Sequence, residues 1–338
     1  TLDGVVGVAD FMITGGTLAG THSFTNGATW TGGNLNSVGT TTNASGSIFN
    51  LSHPSQNDFD NRTIENQTGG IVNWTDGDLR SGGGGLFNNF GTFNDKSTSF
   101  GFWVASNAYG GAAWSFQNKS GGDYIKDSLG NTRFEVSFTN DGNLDINSGA
   151  LYFAQGGTNS ASGTIDVEFG SALLFSGGNF LIADAAQLTG TGQFKLIGGS
   201  VTLDGVLNVP DFQIIGSTIK GTHTLAGGAD WTGGNFNSAG TTTNASGSIF
   251  NLRNSGQNDF DGRTINNQSG GIVNWTDGDL RSGGGGLFYN YGTFNDSAAG
   301  SGELETVNNA FGGTALVFTN KASGTYNKTG LGTARFDV

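Results

Sequence analysis

Gly69-Gly70-Ile71-Val72-Asn73-Trp74-Thr75-Asp76-Gly77-Asp78-Leu79-Arg80-Ser81-Gly82-Gly83-Gly84-Gly85-Leu86-Phe87 stands again, without a change, at 270–288. The match extends outward from this block. Thr1-Leu2-Asp3-Gly4-Val5 returns as Thr202-Leu203-Asp204-Gly205-Val206, and between Gly20 and Asp95 roughly four residues in five recur one repeat later. Self-similarity at a fixed period is the signature of a stacked array. The chain is expected to hold one module at 1–201, made of a duplicated stretch, residues 1–136, and connecting coils at 137–201, and a second, truncated module at 202–338.

A shorter rhythm runs inside the module. Phe116-Gln117-Asn118 is followed by Phe138-Thr139-Asn140, and Ile64-Glu65-Asn66 by Phe87-Asn88-Asn89, each about 22 residues on. Leu151-Tyr152-Phe153, Leu173-Leu174-Phe175 and Phe194-Lys195-Leu196 continue it between the duplicated stretches. Asparagine opens a recurrent polar turn at Asn43-Ala44-Ser45-Gly46, Asn66-Gln67-Thr68-Gly69 and Asn118-Lys119-Ser120-Gly121. Small-residue corners recur at Thr31-Gly32-Gly33-Asn34-Leu35, Thr75-Asp76-Gly77-Asp78-Leu79 and Ser176-Gly177-Gly178-Asn179-Phe180. Three short strands and three turns fill about 22 residues, which fits one coil of a parallel β-helix.

The fold class expected is therefore all-β: a β-solenoid of roughly 15–16 coils, right-handed by the general preference of parallel crossovers. Inward Phe, Leu, Ile and Val form columns, and corner asparagines hydrogen-bond their counterparts one coil away. A β-sandwich array needs turn signals every 8–12 residues, and one Asn26-Gly27 pair does not supply them. From Phe87 to Phe116 the spacing stretches to 29, and the copies diverge there. The intervals 96–113 and 297–315 are read as loops that leave the coils.

Composition narrows the function classes. With 62 glycines, two prolines and no cysteine the chain is not an ordinary globule, and 26 phenylalanines are too many for a disordered one. A net charge of −13 with only 14 Lys and Arg argues against nucleic acid. No apolar run is long enough for a membrane-spanning helix. The absence of cysteine excludes disulfides and thiolate-bound metal, and together with acidity and abundant Asn, Thr and Gly it fits exported bacterial repeat proteins. No signal peptide is visible.

Candidate sites are few. Asp76 and Asp78, repeated as Asp277 and Asp279, together with Asp58, Asp60, Asp259 and Asp261, allow a Ca2+ site or the acidic cluster of a polysaccharide lyase, with Arg62 or Arg80 as its base. Asp-Gly and Asn-Asp are also ordinary turn formers, and the Gly-Gly-x-Gly-x-Asp calcium repeat is missing. The divergent interval carries Phe100, Phe102, Trp103 and Tyr109, aromatics suited to stacking on sugar rings. The glycine run 82–85 precedes no Lys-Ser or Lys-Thr and is no phosphate loop. His22, His53 and His223 have no partners at catalytic spacing, and Thr40-Thr41-Thr42 occurs once per module, not once per coil as an ice-binding face needs. The reading is non-enzymatic.

Gly-Gly-Thr-Leu, Trp-Thr-Gly-Gly-Asn-Leu, Asn-Trp-Thr-Asp-Gly-Asp-Leu and Phe-x-Asn-x-Gly-x-Phe together resemble the repetitive β-solenoid regions of large bacterial surface proteins, the filamentous-haemagglutinin-like adhesins and autotransporter passengers. The resemblance covers essentially the whole chain. It implies an extracellular or cell-surface rod that holds a tip or loop away from the cell or packs into fibres. Its expected partners are copies of itself, end to end or side by side, and cell-surface glycans. The alternative is a carbohydrate-binding or carbohydrate-cleaving β-helix.

Overall fold

A computed structural model describes residues 1–96, 102–298 and 304–338, with the backbone alone at Phe102, Trp103 and Leu304. These residues form strands and no helix, in two compact units, Thr1–Leu174 and Phe175–Val338. Alternation makes the strands. In Ile71–Ser81, Val72, Trp74, Leu79 and Ser81 are buried while Ile71, Asn73, Thr75 and Arg80 face outward, the period of two that one buried face demands.

In the first unit Gly4–Val6, His22–Phe24, Gly39–Asn43, Arg62–Asn66 and Leu86–Asn89 stack in parallel. Ser115–Asn118, Ser137–Asn140 and Gly156–Asn159 continue that ladder. A second ladder runs through Phe11–Thr17, Ala28–Asn34, Ile48–Asp58, Ile71–Ser81, Thr92–Asp95, Asp123–Phe134, Asn143–Phe153 and Thr164–Val167. Its long members turn a corner, marked by register shifts between Leu51 and Ser52 and between Ser52 and Gln56. In the second unit Gly205–Leu207, His223–Leu225, Thr241–Asn244, Thr264–Asn267, Leu287–Asn290 and Val317–Asn320 stack in the same parallel sense. The all-β solenoid is what the repeat predicts, and Asn26-Gly27 makes no hairpin: Gly27 sits at a corner with φ +85°.

The corner at Trp74-Thr75-Asp76-Gly77 shows why its residues recur. Trp74 Nε1 donates to the Gly77 carbonyl at 2.6 Å, and the Asp76 side chain accepts from the Gly77 amide at 2.9 Å. Gly77 has φ +69°, and a Cβ there would lie 2.2 Å from the His53 carbonyl oxygen, so no other residue fits.

Inside the first unit aromatic rings stack coil on coil. Phe87 and Phe116 lie 5.0 Å apart, and Phe116 and Phe138 5.3 Å apart with planes 1° from parallel. Beside them runs a column of buried asparagines. Asn43 donates to Asn66, Asn66 to Asn89, Asn89 to Asn118, Asn118 to Asn140 and Asn140 to Asn159, at 2.6–2.8 Å and sequence spacings of 23, 23, 29, 22 and 19. The second unit repeats it through Asn244, Asn267, Asn290 and Asn320 at 2.7–2.8 Å. Each amide also donates to backbone, as Asn66 does to the Thr92 carbonyl at 3.1 Å, so burial leaves few of its polar atoms unpaired. The corner asparagines thus do hydrogen-bond up the stack.

The wide spacing is not all loop. Within 96–113, read from the sequence as leaving the coils, Phe102–Asn107 is a strand paired with Ile71–Ser81 on one side and Asp123–Phe134 on the other. Ala105 is fully buried between register partners Leu79 and Phe134. Within 297–315, Leu304–Asn309 does the same, with Val307 between Leu280 and Phe336. Small or β-branched inward residues make these strands, and the conspicuous aromatics around them mask the period.

Candidate functional site

The surface formed where the 102–107 strand meets its neighbours holds most of the residues with chemistry to offer. Asp58 and Arg80 are register partners on adjacent coils. Their side chains form a two-point ion pair, Arg80 Nε to Asp58 Oδ1 at 2.8 Å and Nη2 to Oδ2 at 2.9 Å. Tyr109, just past the strand, closes over them: its hydroxyl donates to Asp58 Oδ2, and the Arg80 guanidinium lies 5.6 Å from its ring centre. The hydrogen bond to Asp58 holds Arg80 above its ordinary pKa, while burial and then Asp58 push the Tyr109 phenol up. The second unit repeats the pair as Asp259 and Arg281 at 2.7 and 2.8 Å, with the Phe311 ring 5.4 Å from the guanidinium. Of the aromatics marked for sugar stacking, Tyr109 therefore has a face against Arg80 and its hydroxyl on Asp58. Phe100 and the side chains of Phe102 and Trp103 lie outside the described residues.

Asp76 and Asp78 meet at one corner, and each carboxylate holds backbone. Asp76 accepts from Gly77, and Asp78 Oδ1 accepts from the Val104 amide at 2.9 Å, tying the inserted strand to the corner. Asp277 and Asp279 do the same to Gly278 and Thr306, at 2.9 and 2.7 Å. In the second unit Glu305 joins them; burial, then Asp279 and Asp277, push its carboxyl up to about 7. Among the described residues no group of three or more His, Asp or Glu side chains is arranged to hold a metal ion.

The histidines have partners that the sequence spacing hides. In the first unit Arg62 Nη1 donates to Thr41 Oγ1 at 2.8 Å, Thr41 Oγ1 meets His22 Nε2 at 3.1 Å, and His22 Nδ1 meets the Leu2 carbonyl at 3.2 Å. A carbonyl only accepts, so Nδ1 carries the proton, and Thr41 donates to Nε2 of a neutral ring. Burial, then the Arg62 charge, lower the His22 pKa; the same causes from burial and Arg263 push His223 down to about 3. Arg62 is itself buried, with further bonds to the Leu35 and Gly20 carbonyls at 3.0 and 2.7 Å. It holds coils together and is not placed as a base. Thr41 faces inward too, which breaks the outward run Thr40-Thr41-Thr42.

A second polar group lies at the buried Asp95, Tyr124, Lys126 and Thr132, with Ser128 half-buried beside them. Tyr124 and Thr132 hydroxyls donate to Asp95 Oδ2 at 2.9 and 2.5 Å, and Lys126 Nζ lies 4.0 Å from Asp95 Oδ1 while donating to Ser128 Oγ at 2.7 Å. Sequence reasoning missed it. The signal present was a charged residue at a position where neighbouring coils place Trp or Ile.

No family model matches the chain, and no curated protein matches it. Among solved structures, a TibC-catalysed hyper-glycosylated fragment of TibA is similar over 99% of this chain and 100% of that chain, at 16% identity and a TM-score of 0.26. A likeness at that score adds nothing to the fold, which rests on the ladders themselves. No helix among the described residues is long and apolar enough to cross a membrane.

Proposed function

We propose that this chain is a structural or adhesive extracellular rod segment, a scaffold of tandem solenoid modules that presents its outward faces and assembles end to end. One observation carries the reading. The acids and arginines that an enzyme would turn toward a substrate make the same internal bonds in both modules: Asp58 to Arg80 and Asp259 to Arg281, Asp78 to Val104 and Asp279 to Thr306. An active site needs groups converging on a substrate position, whereas contacts repeated per module serve the repeat. A cysteine-free, acidic, Asn- and Thr-rich chain suits export and a bacterial cell surface, and parallel coils offer strand edges that pair with a further coil.

Electron microscopy of the protein from its source tests the proposal. Continuous filaments with a reflection near the ~4.8 Å strand spacing along the axis support it. Discrete particles that bind glycans, and lose that binding on Tyr109→Ala, overturn it in favour of a carbohydrate-binding β-helix.

A further inference from the structure

Along one inward column of the first unit, successive register partners are Leu51, Trp74, Asp95, Lys126, Ile146 and Val167. Every other position in that run is apolar, yet an acid and an amine stand side by side with no measurable exposure on either side chain. Taking two such ions out of water is costly, and an apolar pair of similar volume usually serves stability as well or better. The same exchange recurs where the second unit runs Leu252, Trp275, Asp296, Lys328, with Lys328 Nζ 3.5 Å from Asp296. In each module the acid precedes the widest interval and the amine follows it, on the two strands that this interval joins, in a chain that has no cysteine to cross-link it.

The geometry points to a covalent fate for this pair: an isopeptide bond between Lys126 Nζ and Asp95 Cγ, formed inside the folded coil. Asp95 Oδ2 already receives the hydroxyl protons of Tyr124 and Thr132, the arrangement that stabilises negative charge on that oxygen when the carbonyl carbon is attacked. Lys126 Nζ sits on the Oδ1 side. Proton transfer from the ammonium to Oδ1 leaves an amine and a carboxylic acid, the neutral forms that a dry interior favours; burial lowers the lysine pKa in that direction. The amine lone pair then forms the C–N bond, Oδ2 carries the charge of the tetrahedral intermediate, and Oδ1 departs as water with a second proton from nitrogen. Ammonium plus carboxylate become one amide and one water, with no oxidant or external reagent. The product amide ties the directly paired strands Thr92–Asp95 and Asp123–Phe134 on adjacent coils, and Ser128 and the two hydroxyls remain as its hydrogen-bond partners.

Intact-mass spectrometry of the purified whole chain, followed by tryptic mapping, tests this. The expected result is a mass lower than that of the sequence by one water for each joined module. Trypsin should fail to cut after Lys126, and one branched peptide should contain both Asp95 and Lys126. Lys126→Met and Asp95→Ala should each abolish the first-module deficit. The full sequence mass in the wild-type chain overturns the proposal without recourse to any variant. A deficit that maps to an Asp-Gly succinimide, with Asp95 and Lys126 in separate linear peptides, overturns it equally.

Discussion

Arg62 and Arg263 occupy the same place in the two modules and are buried to the same degree, 1% exposed each, but they are not held in the same way. Arg62 spreads its donors over the Leu35 and Gly20 carbonyls and the Thr41 and Ser37 hydroxyls. Arg263 places both terminal nitrogens on one carbonyl, Gly221, at 3.0 and 2.6 Å, and its Nε has no partner. An inward side chain beside the guanidinium differs between the modules. Phe236 stands where the first module has Leu35, and the Arg263 guanidinium lies 5.5 Å from its ring centre. Burial lowers both arginines, Arg263 to about 10. Repetition of sequence therefore fixes where a residue sits, while its neighbours determine whether its hydrogen bonds are made.

The strongest check on this comparison is a site where the modules should agree. Trp74 and Trp275 are both fully buried and both donate to a corner glycine carbonyl at 2.6 Å. Replacing either with alanine should cost its own unit about 3–5 kcal/mol, the range for a deleted core aromatic. Amide exchange within each unit measures this, because stability in a stacked array is local; unequal losses would break the equivalence of the modules. Next in size is the arginine contrast. Arg62→Met leaves more buried acceptors unpaired than Arg263→Met, so it should cost roughly 1–3 kcal/mol more, read from exchange in Gly39–Asn43 against Thr241–Asn244.

The histidines sharpen the comparison through pH. His223 folds with a pKa of about 3, against 6.5 when unfolded. The unfolded chain therefore takes the proton first, and stability that is full above pH 6.5 falls as the pH drops below it. The loss by pH 5 is about 2 kcal/mol for this one group. A leucine carbonyl partly offsets burial and the arginine charge at both histidines, and at His22 the Asp3 charge adds to that offset, so the first module should lose less. Exchange at His22–Phe24 and His223–Leu225 between pH 7 and pH 5 compares them directly, and equal losses would show that the two networks are alike after all. The smallest expected effect is Tyr109→Phe, which gives the first module the aromatic of the second. Removing one half-exposed hydroxyl from an ion pair that stays intact should change stability by less than about 1 kcal/mol, with exchange at Phe102–Asn107 as the readout.

Some of these features are legible in the sequence. The asparagines at Asn43, Asn66 and Asn118 open turns of one pattern, Asn-x-Ser/Thr-Gly, and parallel coils leave such residues nowhere to put a buried amide except on the next one. The corner role of Thr75-Asp76-Gly77 is equally plain, since Asp-Gly pairs form turns by local hydrogen bonds. The strand at 102–107 is not, because it is short, holds Ala105 inward, and is surrounded by aromatics that suggest a projecting loop. His22 looks partnerless for a related reason: Thr41 and Arg62 lie 19 and 40 residues away in sequence but on successive coils.

What the sequence determined by itself is the architecture: its two nested periods, its alternation of apolar and polar residues and its glycine corners leave a parallel solenoid as the arrangement that buries every repeat in the same way. Only the tertiary structure decided which polar groups meet. The pairings of Asp58 with Arg80, His22 with Thr41 and Asp95 with Lys126 depend on the register between coils of unequal length, and register is set by packing summed over a whole ladder, which no single stretch of residues records.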